Sequence, residues 1–598
     1  MRVFAALVLV TACTWDRPPE IAPPVECEED TCDPNIELHA TFGLKQLELS
    51  WTPYDGATEY HVLAGNADSF VDVGSALPPT TLSVKLPLSV HRIDWANASY
   101  RLQACTADRC IDSPAISITE SMVSTIGYLK ASNTDFDDKF GFAIALSGDG
   151  TTLAVGAPHE SANASGDPAN NDALSAGAVY ILHRGADGWE HQAYLKASNA
   201  EPWDEFGRAL AISDDGNTVV VGVRPEDGGS AGIGGNPSDN TITDSGAVYV
   251  FARNGVSWHQ ETYLKATNPS PSDFFGTTVA LSADGKTLAV GAYYEDSGSP
   301  GIDGPQNDES VSNAGAVYVY KRSGNSWSHD AYIKASNPGV DAAFGAALAL
   351  SNDGSILAVG SPGERSASEG INGSQVNAGL VNAGAVYAFR RAGGSWVQQA
   401  YIKSSHMDAN DHFGFAVALD ADGDTLAVGC KGESSAATGT TGDPSDNDAE
   451  NAGTVFVFSR SNTAWSQQAH LKSSFTNKGY ELGWRVAVSD DGDMIAASAP
   501  GDASASDGVG GTPTDQGAPN AGAVALFTRS GISWSQTAYV KAPNSDPMDR
   551  FGLDVALSGD ASTLAVSAPS EAGAATGVAV DVGPDNNAAV GAGAVYLY

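Results

Sequence analysis

Seven acidic residues recur at one position of an internal repeat, one in each copy. The repeat is 66 to 69 residues long, and its seven copies begin at Phe140. Each acidic residue opens a long loop that is rich in Asp and Asn, and long loops in compact repeats are often functional. Carboxylates gathered on one rim could bind calcium or a basic ligand. The seven residues are Glu160, Glu226, Glu295, Glu364, Glu433, Asp502 and Glu571.

The same acidic position also has a purely structural interpretation. Each carboxylate could accept hydrogen bonds from the N–H groups of its own loop, and Asp, Asn and Gly are ordinary turn residues. The sequence leaves both interpretations open.

The elements that carry these residues are predicted to be short strands. Each repeat holds four apolar segments, which read FGFAIALS, TTLAVGA, GAVYIL and WEHQAYLK in the first copy. Their lengths and turn residues favour strands over helices. A Ser-x-Asp-Gly sequence joins the first two segments and is typical of a tight hairpin. Four strands in each of seven repeats predict an all-β fold, a seven-bladed propeller with four-stranded blades.

The two ends of the repeat region predict how the propeller closes. The last repeat stops after its third strand, at Ala594 to Tyr598, whereas an additional fourth-strand segment, Tyr128-Leu129-Lys130, precedes the first repeat. We expect this N-terminal strand to pair with the C-terminal blade, so that Tyr128 lies near Tyr596. No sheet edge between blades would then remain open.

A tryptophan opens the fourth strand in six repeats. These residues are predicted to pack between neighbouring blades, because large aromatic side chains usually serve packing rather than ligand stacking. They are Trp189, Trp258, Trp327, Trp396, Trp465 and Trp534.

The overall composition limits the possible partners. Of the 598 residues, 42% are hydrophobic and 17% are charged, which suits a folded chain of more than one domain. The formal charge of −41 would repel nucleic acid and anionic lipid at long range. No nucleic-acid partner is therefore expected. The acidic surface itself is typical of a soluble exported protein.

The N-terminal region predicts export. Residues 1–12 have one basic residue and a ten-residue apolar run, which is too short for a membrane span and typical of a signal peptide. Val10-Thr11-Ala12-Cys13 resembles a bacterial lipobox, which implies a lipid anchor on Cys13; an ordinary cleaved signal is the alternative. The Pro-rich residues 13–35 are predicted to be an extended tether.

The cysteines agree with an oxidising compartment. Two close pairs, Cys27 with Cys32 and Cys105 with Cys110, are predicted to form disulfides. Cys430 occupies a position held by Ala or Ser in other repeats, which favours a small buried residue over a reactive thiol.

Residues 36–120 differ in pattern from the repeats. An early Trp and later Tyr residues on predicted strands resemble a fibronectin type III module, a small β-sandwich. This leaves residues 121–598 for the propeller.

The repeat itself resembles the FG-GAP repeat of integrin α-subunit propellers, in the form found in large bacterial surface proteins. The resemblance is carried by the Phe-Gly pair, by Leu-Ala-Val-Gly-Ala-Pro at 153–158 and by Ala-Gly-Ala-Val-Tyr at 176–180. It implies a propeller used for adhesion or recognition at the cell surface. In that family an Asp-x-Asp-x-Asp-Gly loop can hold calcium. Three residues here resemble it: Asp420, Asp422 and Asp424.

The sequence favours a binding protein over an enzyme. Its histidines are not in register with the repeat, and no Gly-x-Ser-x-Gly or His-Glu-x-x-His motif is present. The sixth repeat, which contains Trp484, is the most divergent. We expect a lipid-anchored, non-enzymatic protein of the bacterial envelope that recognises a protein or glycan ligand, with calcium as a possible cofactor. The alternatives are a structural envelope protein and a propeller-based hydrolase or lyase.

Overall fold

The computed structural model describes most of the chain in two compact units. The first contains the described residues of Met1–Pro87 and Asp94–Ser124, and the second those of Leu88–Ile93 and Thr125–Tyr598. The predicted signal peptide, Cys13 and the Cys27–Cys32 pair lie outside the described residues. Within the described ranges, no helix is long and apolar enough to cross a membrane. These ranges are 33, 35–66, 69–92, 99–118, 125–186, 188–376, 378–440, 442–579 and 587–598.

The first unit consists of two antiparallel sheets, ordered β1-β2-β5 and β4-β3-β6-β7, with β8 paired to β6. Alternating burial along β2 places Leu47, Leu49 and Trp51 on the inner face. The predicted disulfide between Cys105 and Cys110 is present. The fibronectin type III assignment remains an interpretation. The strands are β1 (Leu38–Gly43), β2 (Gln46–Trp51), β3 (Glu59–Asn66), β4 (Ser69–Asp72), β5 (Ser83–Pro87), β6 (Ser99–Cys105), β7 (Cys110–Asp112) and β8 (Ile116–Ser117).

The second unit is built from the repeats and is all-β in its described residues, apart from a 3-10 turn at Val90–Arg92. It starts with β9 (Gly127–Leu129) and continues with six four-stranded antiparallel sheets, in which successive strands pair as in propeller blades. The first sheet has β10 (Ile144–Leu146), β11 (Thr152–Ala157), β12 (Ala178–Gly185) and β13 (Gly188–Leu195); the second has β14 (Ala209–Ile212), β15 (Thr218–Val223), β16 (Ala247–Asn254) and β17 (Ser257–Leu264).

The remaining four-stranded sheets have closely similar bounds. The third has β18 (Thr278–Leu281), β19 (Thr287–Ala292), β20 (Ala316–Ser323) and β21 (Ser326–Ile333); the fourth has β22 (Ala347–Leu350), β23 (Ile356–Ser361), β24 (Ala385–Ala392) and β25 (Ser395–Ile402). The fifth has β26 (Ala416–Leu419), β27 (Thr425–Cys430), β28 (Thr454–Ser461) and β29 (Ala464–Leu471); the sixth has β30 (Val486–Val488), β31 (Met494–Ala499), β32 (Ala523–Ser530) and β33 (Ser533–Val540).

The seventh sheet combines both ends of the repeat region. Its five strands run in the order β34 (Val555–Leu557), β35 (Leu564–Ala568), β37 (Ala594–Leu597), β9 and β36 (Val578–Ala579). Strands β37 and β9 pair antiparallel, with Tyr596 opposite Tyr128. The predicted pairing of the N-terminal strand with the last repeat is therefore present.

The hairpin between the first two strands of each repeat has one recurring geometry. In the fourth repeat, the Ser351 hydroxyl donates to Asp353 at 2.7 Å and accepts from the N–H of Ile356 at 3.0 Å. Gly354 takes a φ of 65°, the left-handed region in which glycine is favoured. The turn chemistry predicted from Ser-x-Asp-Gly is thus confirmed at this hairpin.

Backbone hydrogen bonds link each of these turns to the next around all seven repeats. The last bond, from Gly559 N–H to Gly148 C=O at 2.9 Å, leads back to the first sheet. The first strands of consecutive sheets also contact one another, and β34 contacts β10. The other bonds run from Asp149 to Asp214, Asp214 to Ala283, Ala283 to Asn352, Asn352 to Ala421, Ala421 to Asp490 and Asp490 to Gly559.

The first strand of each repeat is shorter than predicted. The sequence predicts a strand from the Phe-Gly pair onward, but in the first repeat β10 starts only at Ile144. Gly141 lies before the strand with a φ of 88°, and a Cβ there would lie 2.8 Å from the carbonyl oxygen of Ala594. The Phe-Gly pair therefore forms a close-packed turn, in which Phe140 is fully buried against Tyr180.

The core consists of apolar layers between neighbouring sheets. One such layer joins Val317 and Val319 of the third sheet to Leu357 and Tyr387 of the fourth. Buried tryptophans add polar links between sheets: Trp327 Nε1 donates to Glu261 of the second sheet at 2.8 Å. This agrees with the packing role predicted for the Trp position.

Candidate functional site

The seven acidic residues predicted to form a ligand rim are buried, and each forms an ion pair with a lysine. The lysine follows the fourth strand of the same sheet, at the Tyr-Leu-Lys position. The seven Nζ–oxygen distances are 3.1 Å for Lys196–Glu160, 3.0 Å for Lys265–Glu226, 2.6 Å for Lys334–Glu295, 2.9 Å for Lys403–Glu364, 2.7 Å for Lys472–Glu433, 3.4 Å for Lys541–Asp502 and 2.8 Å for Lys130–Glu571.

The third repeat shows how completely such a carboxylate is engaged. Glu295 accepts from Lys334 at 2.6 Å, from the Tyr332 hydroxyl at 2.6 Å and from the N–H of Ser297 at 3.1 Å. Burial lowers the pKa of Lys334, while the Glu295 charge opposes that shift. The geometry favours the structural interpretation of this position, because the oxygens that would bind calcium or a basic ligand already have internal partners.

The three aspartates that resemble a calcium loop also have separate partners. Buried Asp420 replaces the hairpin serine and accepts from the N–H groups of Asp424 and Thr425 at 2.8 and 3.0 Å. Asp424 pairs with Arg460 at 2.7 Å, and Asp422 is exposed. The arrangement is that of a hairpin turn, because the carboxylates point to different groups rather than to one centre.

One group of potential metal ligands is close enough to share an ion among the described residues: Glu59, His61 and Cys105. It is unsuited to a metal, because Cys105 is in a disulfide with Cys110. Cys430, in turn, is a buried free thiol whose sulfur donates to the Asp411 carbonyl at 3.2 Å. This agrees with the structural role predicted for that cysteine.

A second set of buried carboxylates was not predicted from the sequence. In five repeats an aspartate stands two residues before the Phe-Gly pair and accepts from a backbone N–H three residues earlier, as Asp273 does from Ser270 at 3.0 Å. Burial, and next the neighbouring charge of Glu295, raises the pKa of Asp273 to about 8. Burial likewise raises the pKa to about 7, 8, 7 and 7 at Asp138, Asp204, Asp411 and Asp549.

The surface around the Phe-Gly pairs, with Leu482-Gly483 as the pair of the sixth repeat, is here called the Phe-Gly face, and its side chains vary between repeats. The residue before each pair has a left-handed backbone although none is glycine: Lys139, Glu205, Phe274, Ala343, His412, Glu481 and Arg550. The residue after each pair is Phe142, Arg208, Thr277, Ala346, Phe415, Trp484 or Leu553. Unfavourable backbone geometry tends to concentrate at functional sites. Variable side chains on a constant backbone suit ligand recognition.

A cavity of about 710 Å³ opens on this face above the fourth repeat. Its floor is formed by small residues, Ala343, Ala346 and Pro362, where the neighbouring repeats carry larger side chains. Tyr293 lies on the side of the third repeat and Lys431 on the side of the fifth. The hollow therefore exists because one repeat is small where its neighbours are bulky. Its volume is in the range of small-ligand sites.

The wall of this cavity on the fifth repeat joins aromatic rings to positive charge. Lys431 Nζ lies 3.9 Å from the centre of the Phe415 ring and 4.4 Å from that of Trp484. The guanidinium groups of Arg485 and Arg550 also lie by these rings, at 6.0 Å from Phe415 and 5.8 Å from Trp484. This wall is a local concentration of cations in a strongly acidic protein.

The wall on the third repeat is aromatic. Tyr293 and Tyr294 follow β19, with ring centres 4.1 Å apart, and Phe274 lies 5.4 Å from Tyr294. The Tyr294 side is open to solvent, since that residue is 36% exposed. The rim of the cavity is polar, with exposed Asp341 and Arg365. Apolar ring faces with a few convergent polar groups are the usual makeup of a small-ligand site.

Comparison with known proteins identifies the repeat. Four segments, 124–182, 189–251, 258–320 and 396–458, match the model of the FG-GAP repeat. The chain contains FG-GAP repeats. The resemblance inferred from the Phe-Gly pair is confirmed to that extent. No curated protein matches the chain.

Several solved structures are similar to this chain. Sqt1 from Chaetomium thermophilum is 15% identical, with 74% of this chain and 82% of that chain covered and a TM-score of 0.37. The WD40 repeats of RRP9 are 8% identical, with 79% and 96% covered and a TM-score of 0.38. The tricorn protease is 11% identical, with 88% and 41% covered and a TM-score of 0.33.

Proposed function

We propose that this protein is an exported, non-enzymatic recognition protein whose FG-GAP repeats form a closed seven-bladed propeller. Closure is supported by the pairing of Tyr596 with Tyr128 and by the bond from Gly559 back to Gly148. A closed propeller places the Phe-Gly face at one end of its central channel and the hairpin turns at the other. Ligand then enters from the Phe-Gly face.

The cavity above the fourth repeat carries the functional proposal. Here the fourth repeat carries small residues, Ala343 and Ala346, at two positions where the other repeats carry larger ones, and Pro362 stands where its two neighbours have Tyr293 and Lys431. The hollow places the aromatic ring of Tyr293 and the charge of Lys431 around one open space, which is the usual makeup of a small-ligand site. We therefore assign ligand binding to this hollow rather than to the buried acidic rim.

Binding is favoured over hydrolysis by the groups around the cavity. Hydrolysis of a glycoside usually needs two carboxyl groups across the bond. Asp341 is the one carboxylate that lines the cavity among the described residues, and it accepts from Asn313 Nδ2 at 2.7 Å. Burial and the Lys431 charge lower the pKa of His412. We therefore propose that the cavity binds its ligand without hydrolysing it.

An array of glycans and proteins probed with the full chain tests this assignment. Ala346→Trp would fill the hollow with the residue that the sixth repeat carries at the same position, Trp484, so the fold should tolerate it. Leu553→Trp changes the equivalent position of the seventh repeat and is the matched control. We expect binding that Ala346→Trp abolishes and Leu553→Trp preserves. Binding that both variants retain, or release of cleaved glycan, would contradict the proposal.

The cell-surface location is a separate part of the proposal. Lipidation of Cys13 would hold the protein on the membrane. In a bacterial host, Cys13→Ser should move the protein from the membrane fraction to the soluble fraction. Cys430→Ser is the control, because serine already occupies that position in the fourth repeat at Ser361. An unchanged distribution of the Cys13→Ser variant would rule out the lipid anchor.

A further inference from the structure

Lys431 follows the second strand of the fifth repeat and has no carboxylate partner in the described part of the chain, unlike the seven lysines that follow the fourth strands. Each of those seven pairs with one of the buried acidic residues, as Lys403 does with Glu364 at 2.9 Å. Lys431 has no carboxylate oxygen within 4.0 Å among the described residues, and it rests on Phe415 and Trp484 instead. Its charge is therefore held in place without a direct ion pair to any of the residues that the structure describes, and Glu481 acts on it only at longer range.

The charges around Lys431 are mostly positive. Burial lowers its pKa, Glu481 raises it, and Arg485 and Arg550 lower it further. Of these arginines, Arg485 lies 3.6 Å from Asp554, whereas Arg550 has no carboxylate within 4.0 Å among the described residues. In a chain of 31 basic and 72 acidic residues, a lysine that lines a pocket without a carboxylate within 4.0 Å among the described residues is unusual. An anionic ligand would supply the carboxylate for such a pair.

The size and walls of the cavity define the rest of the ligand. A volume of about 710 Å³ is much larger than an inorganic anion requires. The exposed ring of Tyr294 offers a flat apolar surface, and Thr277 and Asn382 offer hydrogen-bonding groups. This combination suits sugar rings, which have apolar C–H faces and hydroxyl edges. Peptides that bind by strand addition need an open sheet edge, whereas the Phe-Gly face presents strand ends.

We propose that the cavity binds an oligosaccharide that carries carboxylates, with Lys431 as the residue that holds a carboxylate and Tyr294 as a surface for a sugar ring. This inference rests on the proposed function and specifies its ligand class. The negative charge of Asp341 on the rim favours a ligand whose carboxylate enters on the Lys431 side.

Calorimetric titration of the full chain with trigalacturonate tests the proposal. The methyl ester of the same trimer is the neutral control, and a tetraglutamate peptide is the alternative anion. We expect the acid trimer to bind, and its methyl ester to bind at least about tenfold more weakly. Equal affinity for the ester, absence of binding by the acid trimer, or equally tight binding of the peptide would each overturn the proposal.

Substitutions locate the charge that matters. Lys431→Met should weaken the acid trimer about tenfold or more, and Lys431→Arg should retain most of the affinity. Lys286→Met, at an exposed lysine of a hairpin turn, is the control and should change nothing. Melting temperatures of all variants verify folding. If Ala346→Trp abolishes binding of the array ligands but Lys431→Met does not weaken it, the proposed function stands and this inference fails. If Ala346→Trp leaves the binding of array ligands unchanged, the proposed function itself is contradicted.

Discussion

Lys130 and Glu571 lie 441 positions apart in the sequence, yet their side chains form a buried ion pair with Nζ 2.8 Å from Oε2. The Tyr128 hydroxyl donates to the same carboxylate at 3.0 Å. Six other repeats contain the equivalent pair within a single stretch of chain. This seventh pair therefore joins the N-terminal strand to the last repeat through the same contacts.

Lys130→Met is expected to destabilise the protein by about 3–5 kcal/mol, because it leaves the buried Glu571 carboxylate without its cation. Urea unfolding measures the loss. Lys286→Met is the matched control: its pair with Asp284 has a similar length, 3.0 Å, but its side chain is 63% exposed, so it should cost less than about 1 kcal/mol. Equal stabilities for the two variants would show that the Lys130 pair does not hold the ends together.

Much of the fold could be predicted from the sequence because the same pattern of strand and turn residues recurs in all seven repeats. The period, the four segments and the Asp-Gly hairpins follow from local patterns that do not depend on distant contacts. The pairing of Tyr128 with Tyr596 followed from the phase of the repeat at its two ends. The strand starts were less predictable, because the turn at Gly141 is imposed by close packing on Ala594.

The candidate site could not be predicted in the same way. The acidic residues were predicted as a ligand rim because they recur regularly. In the structure each of them, such as Glu295, is paired with a lysine that follows another strand of the same sheet. The cavity instead arises from irregularity, with Ala346 small beside Phe415. The variable residues next to the Phe-Gly pair were the feature of the sequence that could have indicated the cavity. Only the fold, however, brings Tyr293 and Lys431 to opposite sides of one hollow.

The contribution of the buried aspartates to stability is expected to fall as the pH rises from about 4 to about 8, whereas buried His470, whose pKa burial lowers to about 4, acts in the opposite direction below about pH 6.5. In the unfolded chain an aspartate titrates near pH 4, whereas the folded pKa of Asp273 is raised to about 8. Between these values the folded state holds more protons than the unfolded state, so this contribution is greatest at the acidic end and decreases with rising pH. Asp138, Asp204, Asp411 and Asp549 act in the same direction. Urea midpoints across this range measure the slope.

Asp273→Asn should reduce the loss of stability over this range by several kcal/mol, at about 1.4 kcal/mol for each pH unit between the two pKa values. Asparagine keeps an acceptor for Ser270 but does not ionise. Asp284→Asn is the control. Although burial opposes it, hydrogen bonds from Lys286 and Ser282 lower the pKa of Asp284, so its contribution is lost only in more acidic solution. A slope unaffected by Asp273→Asn would mean that this aspartate ionises normally in the folded protein.

The tryptophan position allows a comparison of packing with hydrogen bonding. Trp396 Nε1 donates to Asp330 of the preceding sheet at 3.0 Å. Trp189 is equally buried, but its Nε1 has no partner among the described residues, and the equivalent acceptor position holds Ile126. Trp396→Phe should therefore cost about 1 kcal/mol more than Trp189→Phe, since both lose the same volume but only one loses a hydrogen bond. Equal losses in urea unfolding would assign the Trp position to packing alone.

Alanine substitutions at two glycines measure how tightly neighbouring sheets approach. Gly354 and Gly324 have similar left-handed backbones, with φ of 65° and 60°. A Cβ on Gly354 would lie 2.6 Å from Thr287 Oγ1 and 2.8 Å from its Cβ in the preceding sheet, whereas a Cβ on Gly324 would meet nothing within 4 Å. Both changes cost about 1 kcal/mol of backbone strain, but Gly354→Ala should cost about 1–3 kcal/mol more because Thr287 must move. Thermal and urea unfolding of the two variants give the difference directly. If Gly354→Ala is no more costly than Gly324→Ala, the hairpin turn of the fourth repeat lies farther from Thr287 of the third than the structure shows.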